Sequence, residues 1–331
     1  MAAAGGGGRL MRQLIDKMFG AAFRNEWSEE QHDGAILPDV PGRQPVLTTD
    51  SFVVDPLSFP GGDIGTLAVC GTVNDLAMCG AEPKYLTCGF VIEEGLPMEQ
   101  LWSVVCSMQS TAEQAGVQIV TGDTKVVDRG KADKLFINTA GLGFVEPGHA
   151  ARPGRIQAND VVLLSGDVGR HGVVVLAARD GLGFETEIES DCQPLNHATR
   201  GLLDAGVEVH CFRDLTRGGL ATGMVELAGT AGLACSIREA EVPVREDVRG
   251  ACELLGLAPL YVANAGRFVA VVSEAHADRA IEVLRGLGGD HQPVRIGSFQ
   301  AGRGGRVTLQ TTAGSERILD MLSGEQLPRI C

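Results

Sequence analysis

Short β-branched runs alternate with glycine-closed helical stretches along this chain, without the strict strand–helix–strand rhythm of a doubly wound parallel sheet. That order limits the fold more than any other feature. Residues 46–50, 117–121 and 134–139 read as strands. Residues 63–79 read as a helix stopped by Gly80 and Pro83, and residues 98–115 as one closed by Gly116. Beyond a turn-rich stretch at 146–155, strands are predicted at 160–165, 234–237, 267–272 and 294–298. Helices are predicted at 171–178, at 276–287, and from the turn 213–220 to about Ala228. The pattern implies an α+β chain of two domains, each a mixed or antiparallel sheet with helices on one face. The expected divisions are a glycine-rich leading segment 1–44, domains 45–152 and 153–313, and a mobile tail 314–331.

Bulk properties narrow the function. The 331 residues suffice for two cores, and 45 glycines without a repeat point to tight turns and close backbone approaches. A net charge of −14 argues against a nucleic-acid partner, so an anionic ligand needs a local donor cluster or a bridging metal. Apolar runs such as 173–178 are too short to cross a membrane, and the first residues lack the apolar core of a signal peptide; a cytoplasmic protein is expected. The nine cysteines contain no C-x-x-C pair, which speaks against a zinc site or a disulfide framework.

Cys331 stands apart, as the last residue of Pro328-Arg329-Ile330-Cys331. A thiol with no residue after it can enter a narrow pocket first, and Pro328 biases Leu327 toward an extended arm. A frayed terminus is the plainer reading.

Three acids are candidate metal ligands. Asp50 ends a predicted strand, Asp123 follows another, and Asp75 shares a helical face with Ile64, Leu67, Ala68 and Gly71, where an ionised carboxylate needs compensation. Together they suit Mg²⁺; singly, Asp50 and Asp123 read as turn or cap residues. In Arg213-Asp214-Leu215-Thr216-Arg217-Gly218-Gly219, Thr216 is positioned to cap a helix whose N-terminus attracts an anion, with Arg217 as a phosphate clamp. A plain capped helix explains the same residues. No Walker loop and no dinucleotide fingerprint is present. His171 reads mainly as a structural residue at a helix start, Lys134 and Lys84 as solvated lysines, and Gly5 to Gly8 as a flexible run or a phosphate lid.

Several motifs together resemble the hydrogenase expression/formation family HypE. They are Thr48-Thr49-Asp50-Ser51-Phe52, Pro60-Gly61-Gly62-Asp63-Ile64-Gly65, Cys70-Gly71-Thr72-Val73-Asn74-Asp75, Pro83-Lys84-Tyr85, Thr121-Gly122-Asp123-Thr124, the Arg213 to Leu220 run and the terminal Pro-Arg-Ile-Cys. The likeness spans residue 30 to the end and extends in fold to the aminoimidazole ribonucleotide synthetase-like superfamily. It implies homodimers whose N-terminal sheets pair into a barrel. It also implies that a carbamoyltransferase, HypF, loads Cys331. ATP then dehydrates the thiocarboxamide to a thiocyanate, and the cyanide passes to a [NiFe] hydrogenase iron through a HypC–HypD scaffold. On this resemblance Cys331, Lys134, His171, Asn264 and Ala265 occupy catalytic positions. Asp63, Asn74, Lys84, Asp214, Arg217 and Gly218 contact ATP, and Asp50, Asp75 and Asp123 hold Mg²⁺.

Two departures stand out. The family's Asn-Glu-Gly is Asn264-Ala265-Gly266 here, which removes a natural proton acceptor and implies reduced turnover, and Thr66 replaces a common Lys or Arg. The alternatives are a non-catalytic cyano or iron carrier and another ATP enzyme of the superfamily.

Overall fold

The computed structural model describes residues 35–36, 42–180, 188–322 and 330–331. Gly5 to Gly8 and the tail segment 323–329 lie outside the described residues. The first half runs β1 (Ala35–Ile36), β2 (Gln44–Phe52), a small hairpin β3 (Ser58–Phe59) and β4 (Gly62–Asp63), α1 (Ile64–Met78), β5 (Ala81–Glu93), α2 (Met98–Ala115), β6 (Gln118–Val127) and β7 (Leu135–Val145). Its five-stranded sheet has the order β1-β2-β7-β5-β6, antiparallel except for β5 and β6. α1 is buried along nearly its whole length, with the sheet on one side and α2 on the other. The opposite face of the sheet is open, and Leu47 and Tyr85 stand exposed on it, in line with Leu142 between them.

The second half runs β8 (Val161–Leu164), α3 (Arg170–Asp180), α4 (Asn196–Asp204), β9 (Val209–Asp214), α5 (Gly219–Ala231), β10 (Ala234–Arg238), α6 (Glu246–Leu255), β11 (Phe268–Val272), α7 (Ala277–Gly286), β12 (Val294–Gln300), β13 (Val307–Gln310) and β14 (Glu316–Leu319). Seven strands form one mixed sheet, β14-β13-β10-β12-β8-β11-β9. The expectation of helices on one face fails here. α5 packs against Val162, Leu164 and Val269, while α4 and α7 pack against Leu163, Phe268 and Ala270 on the other side. Cover on both faces explains why Val161–Leu164 and Phe268–Val272 are uninterrupted apolar runs.

The predicted helix at 63–79 is Ile64–Met78, capped by Asp63, and that at 98–115 is Met98–Ala115 with Gly116 left-handed behind it. β5 was not legible because Pro83 sits within it. The strand tolerates proline there because Pro83 pairs with Gly143 of β7 at an end that β6 does not reach. Residues 316–319, assigned by sequence to the mobile tail, are instead a strand paired antiparallel with β13. The halves share their cores: Val173 to Leu176 of α3 join the cluster around α1 and α2, and Ala77 and Met78 of α1 join that around α4 and α7. Among the described residues no helix is long and apolar enough to cross a membrane.

Candidate active site

A cleft opens between the halves, lined by residues of both. β2 supplies Asp50 and Phe52, α1 supplies Leu67 and Asp75, and α3 supplies His171. β9 ends on Asp214, the loop after it adds Arg217, and the loop before β11 adds Asn264 and Ala265. Ile330 and Cys331 lie inside this cleft. Two hydrogen bonds hold them: the Val53 N–H donates to the Cys331 carbonyl at 3.0 Å, and His171 Nε2 lies 2.7 Å from the Ile330 carbonyl. Ile330 also packs against the shared core.

Charge is concentrated here. Burial pushes the Asp50 carboxyl above its ordinary value, while Arg217 and the Ser51 amide pull it down. Burial would lower the Arg217 pKa, but Asp75, Asp50 and Asp214 outweigh it and raise that pKa further. Asp75 is buried and accepts from the Thr48 hydroxyl at 2.8 Å, as its place in the apolar stripe of α1 requires. The Cys331 thiol is pushed up to about 11, by burial first and then by Asp50, with Arg217 opposing. In the cleft it is therefore a neutral thiol at physiological pH and not a nucleophile. Burial also lowers the His171 pKa, against the pull of Asp191 and of the Ile330 carbonyl.

Other expected site residues lie elsewhere. Paired residues on neighbouring strands share a face. Asp50 lines up with Thr139, Cys88 and Gly122 on the face toward α1, whereas Asp123 lines up with Gly89, Asn138 and Ser51 on the open face. Three strand spacings, about 14 Å, separate the two acids as well. Asp123 is mid-strand because β6 runs on to Val127, and it pairs with Lys125. The expected Mg²⁺ ligands thus do not converge within one chain, and among the described residues no three His, Cys, Asp or Glu side chains are grouped to hold a metal. Lys84 pairs with Glu82, and Lys134, in a left-handed turn, lies 3.7 Å from Asp55; neither lines the cleft. Asp63 caps α1 through the Thr66 amide at 2.8 Å and accepts from Ser107 at 2.5 Å. Thr66 therefore serves the cap.

Two asparagines brace the site. Asn74 donates to the Gln193 carbonyl and accepts from the Leu195 amide at 2.8 Å, tying α1 to the second half. Asn264 accepts from the Gly169 amide at 2.7 Å and donates to the Val262 carbonyl. Thr216 does not cap α5 but donates to Asp214 at 3.1 Å; Gly218 is the cap residue. Gly219 lets α5 press on the next loop, where a Cβ would stand 2.6 Å from the Val262 carbonyl. Sequence reasoning missed Val53 and Ser190, which hold the tail and His171 by long-range contacts that leave no local pattern.

The two halves match two family models: AIR synthase related protein, N-terminal domain, over residues 31–145, and its C-terminal domain over residues 157–310. Carbamoyl dehydratase HypE of Azotobacter vinelandii is 49% identical over 327 residues, 99% of this chain and 96% of that protein. The chain belongs to the HypE family. A crystal structure of hydrogenase maturation protein HypE in complex with ATP matches with a TM-score of 0.84 and 47% identity, covering 99% of this chain and 98% of that one. A HypE–HypF complex matches with a TM-score of 0.88 and 44% identity over 93% of this chain and 99% of that one. These HypE structures share the architecture that brings α1, β2 and the loop after β9 together here.

Proposed function

We propose that this chain uses ATP to dehydrate a carbamoyl group carried on its own Cys331, yielding a thiocyanate whose cyano group goes to hydrogenase iron. The observation that carries the reading is Cys331 docked beside Asp50, Asp214 and Arg217. A neutral thiocarboxamide suits a cleft that disfavours a thiolate. Its amide oxygen attacks the γ-phosphorus of ATP and ADP leaves. Phosphate then departs with that oxygen as the nitrogen gives up both protons, leaving S–C≡N, ADP and phosphate. Phosphorylation makes a poor leaving group into a good one.

The chain's residues divide this work. Arg217 neutralises charge on the transferring phosphoryl group. Val53 and His171 hold the tail backbone so that the reacting oxygen stays in line. With alanine at 265, Asp50 and Asp214, the cleft acids that act on the Cys331 thiol, can receive protons. No step is assigned to Mg²⁺ on Asp50, Asp75 and Asp123, because these do not meet in one chain. Lys134 and Lys84 lie outside the cleft, and the first sheet has an open side. Leu47, Tyr85 and Val91 are exposed on that side, which favours pairing of two copies through it into the expected barrel. HypF is the expected source of the carbamoyl group, a HypC–HypD scaffold the acceptor, and the cytoplasm the compartment.

The test is the mass of the C-terminal peptide after S-carbamoylation with cyanate and addition of Mg²⁺ and ATP. Loss of one water that needs ATP and disappears in Cys331→Ser supports the dehydratase. Ala265 presents only a methyl group where the family pattern has an acid, which favours the carrier as the second reading. An adduct that stays intact while ATP binds would support it, and water loss restored by Ala265→Glu would instead mark a weakened enzyme.

A further inference from the structure

The hold on the tail reaches one residue deeper than the cleft. A carbonyl has no proton to give, so His171 must donate to Ile330 from Nε2, at 2.7 Å. A neutral imidazole carries one N–H, which leaves Nδ1 as an acceptor. The atom facing Nδ1 is Ser190 Oγ at 2.9 Å, so the hydroxyl must donate. Ser190 Oγ in turn accepts from the Cys192 amide at 3.1 Å. The donors therefore run in one direction, from the Cys192 N–H through the Ser190 O–H to the His171 Nε2–H and onto the tail.

The relay is built into both halves. The Ser190 amide donates to the Pro60 carbonyl at 2.9 Å. Gly61, with φ +86°, lies so close that a Cβ there would stand 2.7 Å from the Ser190 nitrogen. This gives the Pro60-Gly61-Gly62 turn a purpose: it seats Ser190. Phe59 packs edge-on against the imidazole at 5.4 Å and holds the ring plane.

We propose that Ser190 is a positioning residue that fixes His171 in its Nε2–H tautomer and thereby keeps Cys331 seated in the cleft. Without the hydroxyl, Nδ1 has no donor and can take the ring proton itself. Nε2 then faces the Ile330 carbonyl acceptor to acceptor, and the tail is released. The inference rests on the docked tail alone and stands whether or not the dehydratase reading does.

The test uses the full-length chain without ATP. Alkylation of Cys331 by iodoacetamide is followed by mass spectrometry and referred to Cys106, an exposed cysteine on α2. Ser190→Ala should raise the Cys331-to-Cys106 ratio about fivefold, the weight of roughly one hydrogen bond. Nitrogen NMR of the imidazole in the unmutated protein should show Nε2 protonated, and in Ser190→Ala a mixture of tautomers. An unchanged ratio in folded Ser190→Ala would overturn the proposal. So would a wild-type spectrum with the proton on Nδ1, which decides the matter even if the variant does not fold.

Discussion

The cleft and the open side of the first sheet carry the same residue types and treat them in opposite ways. In the cleft Asp50, Asp75 and Asp214 surround Arg217, and each carboxylate acts on that guanidinium. On the outer side Asp123 meets Lys125 at 2.6 Å with both side chains mostly exposed, and elsewhere outside the cleft Lys84 meets Glu82 and Lys134 meets Asp55. Water and salt screen the outer pairs, so each contributes little. In the cleft the low dielectric magnifies every charge, and the ratio of cations to anions governs what can bind. Chemistry follows the crowded acids, and acidic residues as such mark nothing.

The largest effect should come from breaking the balance in the cleft. Arg217→Ala leaves three carboxylates facing any incoming phosphate. It should lower ATP-dependent water loss from the carbamoylated C-terminal peptide by about a hundredfold or more. Arg217→Lys should recover part of that, since it keeps the charge but not the planar donor fork. A loss below about tenfold in Arg217→Ala would mean that the charge contrast between the two regions does not matter for catalysis.

A middle-sized effect should appear with pH. The His171 pKa is depressed by burial from an ordinary 6.5, so the folded protein resists a proton that the unfolded chain accepts. The stability this gives is complete above 6.5 and is lost as the pH falls below it. The melting temperature of the wild type should therefore fall toward that of His171→Gln between about pH 7 and pH 5. A constant gap between the two proteins would show that His171 is not held neutral in the fold.

The legible parts of the fold were those written in local pattern. α1 and α2 matched the predicted spans closely, because glycines close both and their apolar faces are continuous. The burial of Asp75 followed from helical periodicity. Asp123 stands on the open face for a reason of parity: once β6 is known to run from Gln118 to Val127, one residue's shift sends a side chain to the other face. No local pattern predicts that register. β5 hid behind Pro83, α4 and α6 were not anticipated, and the two-sided cover of the second sheet was present in its apolar runs but needed the helices in place to be read. Ser190 is unmarked in the sequence, because its importance comes only from meeting His171 and Gly61.

The smallest effect should be the most informative about the open side. The partners of Asp123 are Lys125 and the neighbouring Thr124 amide, both exposed. Asp123→Asn should leave the melting temperature within error in dilute solution, where a single chain meets only water on that face. If the melting temperature drops, and drops more as protein concentration rises, a second copy covers the face and stabilises the chain by mass action. Asp123 would then belong to that contact. Because strand parity turns Asp123 away from the cleft of its own chain, any influence it has on the chemistry must pass through whatever covers the sheet.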